Sequence, residues 1–166
     1  MGPGTTPAEF WLTLSVALAG GLAVPLYGHN RDLGWTTPQI IVATVLALDL
    51  FGGVVANATT AARRWHYRPG RTVRHHLAFI AVHGLHLFVV AWLFYGLDWA
   101  YFAAYFGYLL GAAWLVLNLP WGLRRPVAMA LTAGAILLNA YGLTPVPGLQ
   151  WVVPLLFLKL VVGYLG

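Results

Sequence analysis

The sequence contains no cysteine, which excludes disulfide frameworks, thiolate zinc sites, iron–sulfur clusters and cysteine nucleophiles. Charge is almost as scarce: 8% of the 166 residues are charged and only four are acidic. So few carboxylates leave little scope for a paired-carboxylate mechanism. No phosphate-cradling glycine loop, dinucleotide fingerprint or serine elbow is present. A soluble domain carries about 25% charged and about 45–50% apolar residues. Here 60% are hydrophobic and mean hydropathy is +0.77, so the chain cannot clothe a water-facing surface. These proportions belong to an integral membrane protein.

In place of charge there are long apolar runs. A spanning helix needs about 20 mainly apolar residues. Six runs approach that length, roughly 8–28, 38–62, 75–96, 99–120, 126–143 and 148–165. The predicted fold is therefore all-α, a single transmembrane domain over residues 1–166 built from six helices. The breaks carry turn or charge chemistry: Arg31, Asp32, Gly34 and Pro38 in the first, and Pro69-Gly70 among arginines in the second. Gly96-Leu97-Asp98 forms the third, Arg124 and Arg125 mark the fourth, and Pro145 and Pro147 lie in the fifth. Pro154 and Lys159 interrupt the last run, for which a shallow or re-entrant segment is the competing reading.

The arginines set the expected orientation. Arg63, Arg64, Arg68, Arg71 and Arg74 fall in the second loop and Arg124 and Arg125 in the fourth, while the odd loops hold only Arg31. The positive-inside rule places both even loops, and with them both termini, on the cytoplasmic side of the inner membrane. The net charge of +5 and pI of 9.9 then reflect basic loops rather than a nucleic-acid partner. The opening Met-Gly-Pro-Gly-Thr-Thr fits a loose myristoylation pattern, but Pro3 disfavours it and a polytopic chain needs no lipid anchor. No Lys or Arg precedes the first apolar run, unlike a cleaved signal. Trp11, Trp35, Trp65, Tyr67, Trp99, Trp121 and Trp151 sit near run ends and read as interfacial anchors.

The second and third runs carry the chemistry. On a helical wheel with Asp49 at zero, Gly53 falls near ~40°, Ala56 near ~−20°, Asn57 near ~80° and Thr60 near ~20°, one polar stripe of small residues. Such a stripe lets another helix approach closely. With His75 at zero, His76 falls near ~100°, His83 near ~80° and His86 near ~20°, so four histidines share about a third of the circumference. In an antiparallel hairpin turning near residue 67 or 68, residues at one depth sum to roughly 135. Asp49 then lies level with His86, and Asp49, His83 and His86 become the candidate catalytic site near mid-membrane.

Three readings of that site compete. With His76 added, the carboxylate and imidazoles form a competent ligand set for zinc or iron. Haem fits less well, because the deep histidines share one helix and a second copy would have to supply the opposing ligand. The same groups can relay protons. Or Asp49 bonds one imidazole and simply locks the hairpin. The histidine-rich stretch resembles those of membrane metal-dependent hydroxylases and desaturases, whose several histidine boxes are absent here, and no residue role carries over.

Asn57 and Lys159 are candidates to touch the substrate or to support the residues that do. Lys159 is either a counter-ion to Asp49, a substrate carboxylate anchor or Schiff-base amine, or a lysine snorkelling to the headgroups. Asn139 either joins the polar core or bonds a neighbouring helix. Arg64, Arg68 and Arg71 suit anionic lipid headgroups, and in the sharper reading a lipid-borne phosphate. Ala103, Gly107 and Gly111 form a small-residue ridge for a homodimer or for packing within one chain. The function expected is a small metal-binding membrane enzyme acting on a lipid-soluble substrate. The alternatives are a proton- or metal-coupled transporter and an accessory subunit with a packing polar cluster.

Overall fold

A computed structural model describes residues 2–143 and 146–166, and among them there are helices and turns but no strand. Pro145 of the fifth break and Met1 of the N-terminal pattern lie outside the described residues. Helix α1 (Pro7–Asn30) begins at a capping box in which Thr6 Oγ1 accepts from Glu9 N at 3.2 Å and Thr6 N donates to Glu9 Oε2 at 2.8 Å. Helix α2 (Thr37–Ala58) starts similarly, with Thr36 N donating to Gln39 Oε1 at 2.8 Å. Helices α4 (Val73–Val82) and α5 (Gly84–Phe94) form one span broken at His83, and α6 (Trp99–Leu117) is capped by Asp98. With α4 and α5 taken together, four helices are long and apolar enough to cross a membrane.

Two boundaries differ from the sequence reading. The second run does not continue to residue 62. Thr59 leaves helical geometry at ψ 149°, accepts from Ala62 N at 3.2 Å, and starts a separate short helix, α3 (Thr60–His66). Threonine suits that capping role better than a helix interior. Helix α7 (Trp121–Leu137) starts before the arginines, not after them. Arg124 can then cover the end of α6, donating to Leu119 O at 3.0 Å and Leu117 O at 2.9 Å. A π-helical turn, Leu138–Gly142, extends α7.

The last segment, α8 (Val152–Phe157) continuing as a π-helix over Leu158–Leu165, is shorter than the four spans but is the most enclosed element. Val152, Val153, Leu156, Phe157, Leu160 and Val161 are fully buried against α2, α6 and α7. By contrast, the ridge at Gly107 and Gly111 faces outward with none of the described residues over it, so packing among them is not its role.

The two ends of the bundle differ in charge. At one end Arg63 Nη2 donates to Gly166 O at 2.5 Å, Tyr67 OH donates to Leu165 O at 3.3 Å, and Tyr67 packs on Trp121 at 5.0 Å. Gly2 lies against Ala61 and Trp65 there, so both basic loops and both ends of the described chain gather together. At the opposite end Gln39 Nε2 donates to Leu93 O at 3.0 Å, and Trp35 packs on Phe94 at 5.7 Å. Gly148 also lies there, against Leu33 and Trp35.

Candidate functional site

Asp49 stands twelve residues into α2 and nine before its end, which places it about 18 Å from one end and about 14 Å from the other. Its Oδ2 meets two donors from two other elements: His86 Nε2 of α5 at 2.6 Å and Lys159 Nζ of the final segment at 2.5 Å. The pairing of Asp49 with His86 is the one the equal-depth arithmetic expects. Lys159 is therefore a counter-ion to Asp49 and does not snorkel. Its side chain is 5% exposed, whereas that of Asp49 is 45% exposed. The cation is enclosed and the carboxylate faces outward.

The polar stripe of α2 is what brings Lys159 in. A Cβ on Gly53 would stand 2.5 Å from Lys159 Cε and 2.6 Å from Cδ, so only glycine leaves room for the aliphatic stem. One turn on, the buried Asn57 donates from Nδ2 to Lys159 O at 3.1 Å. That carbonyl opens a π-helical stretch, where the wider turn disturbs the usual backbone partners; such turns recur at functional sites. Asn57 thus supports Lys159 through the backbone rather than touching Asp49.

The break between α4 and α5 shapes the other arm. His83 N bonds Ile80 O at 3.0 Å, one residue short of α-helical pairing, which frees the carbonyl of Phe79. The His83 ring fills in: its Nδ1 lies 2.8 Å from Phe79 O. A carbonyl can only accept, so Nδ1 carries the proton. The His83 ring stacks on His86 at 5.2 Å between centroids and 10° between planes. His83 therefore buttresses His86 and does not bond Asp49.

The same logic counts protons at His86. Its Nδ1 lies 3.1 Å from His83 O and must donate, while Nε2 faces Asp49 Oδ2. A neutral imidazole has one N–H, so the contact with Asp49 needs one more proton, held by His86 or by Asp49. The contact thus holds one proton between an imidazole and a carboxylate.

Beside it runs a groove of about 360 Å³ between α2 and α5, walled by Ile41, Val42, Val45, Leu46, Leu85 and Val89 and floored by Asp49 and His86. On its other flank Asp49 borders a hollow of about 290 Å³ between α1 and α2. Volumes of about 300–1,000 Å³ with mainly apolar lining and few polar groups are typical of small-molecule sites.

Other expected members lie elsewhere. His76 Nδ1 is 2.8 Å from Tyr164 OH and its ring stacks on Tyr67 at 4.7 Å. Arg68 lies over Trp65 at 3.6 Å, and Arg64 and Arg71 are exposed at the same basic end. Among the described residues no three His, Cys, Asp or Glu side chains converge as a metal would require. On Asp49 the second partner is an ammonium, which competes with a metal ion for the carboxylate. Asn139 bonds neighbouring elements, donating to Gln150 O at 2.9 Å and accepting from Tyr105 OH at 3.5 Å.

One cluster was not anticipated from sequence. His66 packs edge-on against Tyr164 at 4.7 Å and beside Phe79 at 5.5 Å. Burial, reinforced by the neighbouring His76, pushes the His66 imidazole down to about 4. Tyr164 sits so far along the chain from both histidines that no local spacing links them.

Fold and site together describe a helical membrane protein with an Asp–His–Lys triad at the depth of its spans. No family model, curated protein or solved structure matches the chain.

Proposed function

We propose that this protein is a small multi-pass membrane enzyme that takes a lipid-soluble substrate from the side, between α2 and α5, and acts on it by proton transfer through Asp49 and His86. The carrying observation is the asymmetry of the triad. Its cation is enclosed, while its carboxylate is 45% exposed at mid-span, between an apolar groove on one flank of α2 and a hollow on the other. An intramembrane ionisable residue ordinarily faces the bundle interior. A structural knot would enclose both charges; this one leaves an acid–base group open at mid-span.

In this reading all six apolar runs span the membrane. The final segment crosses at the centre of the bundle, where protein rather than lipid surrounds its π-helical backbone. The end bearing the basic loops is cytoplasmic, and its arginines meet anionic headgroups about half a span from Asp49. Zinc or iron is not part of the reading, because Lys159 takes the place a third ligand would need.

A proton-coupled transporter is the second reading. It draws on the rings leading from the basic end inward: His76, Tyr164, Phe79, His83 and His86, with neighbouring contacts of 4.5–5.5 Å between ring centroids. Phe79 has no proton to pass on and interrupts that row, so the lateral enzyme site is preferred.

The test is to purify the protein in mild detergent and analyse the lipophiles that stay with it, beside a Val45→Trp variant that fills the groove. Val45 is 57% exposed, so the indole needs no core space. A lipophile enriched over bulk lipid in the wild type and depleted in the variant is expected. Identical lipid profiles from two equally folded preparations would overturn the proposal.

A further inference from the structure

Asp49 borders two hollows, and they differ in kind. The groove between α2 and α5 is lined almost wholly by apolar atoms, even where Asp49 and His86 floor it. The hollow between α1 and α2 has polar atoms in its lining, and the polar side chains there are Thr13 and Asp49 itself. Asp49 Oδ2 is taken by His86 and Lys159, while Oδ1 has no hydrogen-bond partner among the described residues. An ionisable side chain within a membrane ordinarily faces the bundle interior or a water-filled cavity. With the carboxylate 45% exposed and the groove apolar, the α1–α2 hollow is the flank on which it can be hydrated. Lipid chains can cover that flank, but they cannot donate to Oδ1.

The hollow leads one way. Its α2 wall runs from Leu48 and Asp49 to Ala56, two residues short of the helix end beside the arginine loop. Its α1 wall runs from Ala17 back to Phe10, about 10 Å along the axis and three residues from the helix start at the same basic end. Ala17, Gly52, Gly53 and Ala56 line it, so no long side chain at these positions bars the way. At about 290 Å³ it has space for several waters, each of which takes about 30 Å³ in the liquid. Thr13 offers a polar foothold on the way out: its Oγ1 donates to Glu9 O at 2.8 Å and keeps lone pairs for water. Glu9 itself stands one turn further on, the one acidic side chain at the arginine-bearing end among the described residues.

We infer that the hollow between α1 and α2 is a water-filled half-channel through which Asp49 exchanges protons with the side bearing the arginine loops. Water donates to Asp49 Oδ1 at mid-span, passes Thr13 and reaches the interface at the start of α1. The opposite end has no such route, because the groove on that side of Asp49 is walled by Ile41, Val45, Leu46, Leu85 and Val89. The half-channel goes beyond the proposed function and does not depend on what occupies the groove.

The chain has no cysteine, so single cysteines can report water access along it. Ala17→Cys lies in the hollow about 15 Å from the start of α1, and Leu14→Cys lies one turn nearer the mouth. Leu18→Cys, next to Ala17, faces outward at 49% exposure, and Val45→Cys probes the groove. Gly122→Cys at the basic end and Ala100→Cys at the other show which end faces the medium in inside-out and right-side-out membrane vesicles. The probe is the membrane-impermeant sulfonatoethyl methanethiosulfonate, and thiols left unreacted are counted by a maleimide-polyethylene glycol gel shift. Ala17→Cys and Leu14→Cys are expected to react in the vesicles that label Gly122→Cys, at least about tenfold faster than Leu18→Cys or Val45→Cys, because apolar surroundings suppress the reactive thiolate. Adding Ala56→Trp at the mouth should bring the Ala17→Cys rate down to that of Leu18→Cys and leave Gly122→Cys unchanged. Equal rates at Ala17, Leu14 and Leu18 would overturn the half-channel. So would reaction of the hollow cysteines only in the vesicles that label Ala100→Cys, or a Val45→Cys rate matching theirs from that opposite end. None of these results decides whether a lipophile binds in the groove, which the lipid analysis of the Val45→Trp variant reads separately.

Discussion

Removing the carboxylate and removing the ammonium are not equivalent perturbations, although each breaks the same 2.5 Å contact. In Asp49→Asn the enclosed Lys159 loses the only carboxylate it meets among the described residues. Breaking a buried pair in that way typically costs about 3–5 kcal/mol. In Lys159→Met the carboxylate left behind still accepts from His86 and is half exposed. The loss should be nearer one charged hydrogen bond, about 1.5–3 kcal/mol. The double variant removes both charges and puts a flexible apolar side chain in the Lys159 channel. It should return to within about 1 kcal/mol of the wild type, since replacing a buried pair by apolar groups is often neutral. Unfolding in mixed micelles, followed by tryptophan fluorescence and circular dichroism, yields the four stabilities. The order Asp49→Asn, then Lys159→Met, then the double variant close to wild type is expected. Additive single effects of under about 0.5 kcal/mol each would refute the account of Lys159 as an enclosed counter-ion, because contacting residues couple more strongly than that.

Gly53→Ala should mimic part of the Lys159→Met effect, because the new methyl displaces the flexible stem rather than the backbone; the same unfolding assay, with Gly107→Ala at an open position beside it, measures this. His83→Leu leaves Phe79 O without its ring donor and removes the stack beneath His86, so a loss of about 1–3 kcal/mol is expected; His83→Asn, which keeps a side-chain donor, should recover part of it. For His66 the folded value of about 4 lies below the ordinary 6.5, so the unfolded chain binds the extra proton. The stability it contributes is present above 6.5 and disappears as pH falls toward 4. A pH series of melting temperatures should show that decline, and His66→Phe should flatten it; an unchanged slope would count against the buried neutral imidazole.

The sequence announced the Asp49–His86 contact because two helices joined by a short loop leave little freedom in depth, and helical periodicity then chooses the face. The glycine of the α2 stripe was equally readable as a place of close approach. What approaches it was not, since Lys159 lies 110 residues away and only tertiary packing decides its neighbour. His76 illustrates the limit of face counting. It shares a broad helical face with His83 and His86, yet near the helix start it meets Tyr164 instead of the triad. The role of His83 was hidden for another reason: it depends on a shifted backbone hydrogen bond, which apolar periodicity does not report. The boundary errors at Thr59 and Trp121 came from reading hydropathy as if it were continuous helix, whereas capping chemistry ended one element and arginine cover began another.

The enclosed position of the final segment has a consequence for biogenesis. The carboxylate of α2 is synthesised 110 residues ahead of its ammonium, which at about 5–20 residues per second is an interval of roughly 5–20 s. During that time α2 must reside in the bilayer with an unpaired acidic side chain, at an insertion penalty of about 2.5–3.5 kcal/mol if it stays charged. The triad is thus closed only once the segment bearing Lys159 has followed α2 into the membrane. Nascent chains arrested before Lys159 emerges should be the ones a membrane quality-control protease sees with Asp49 exposed.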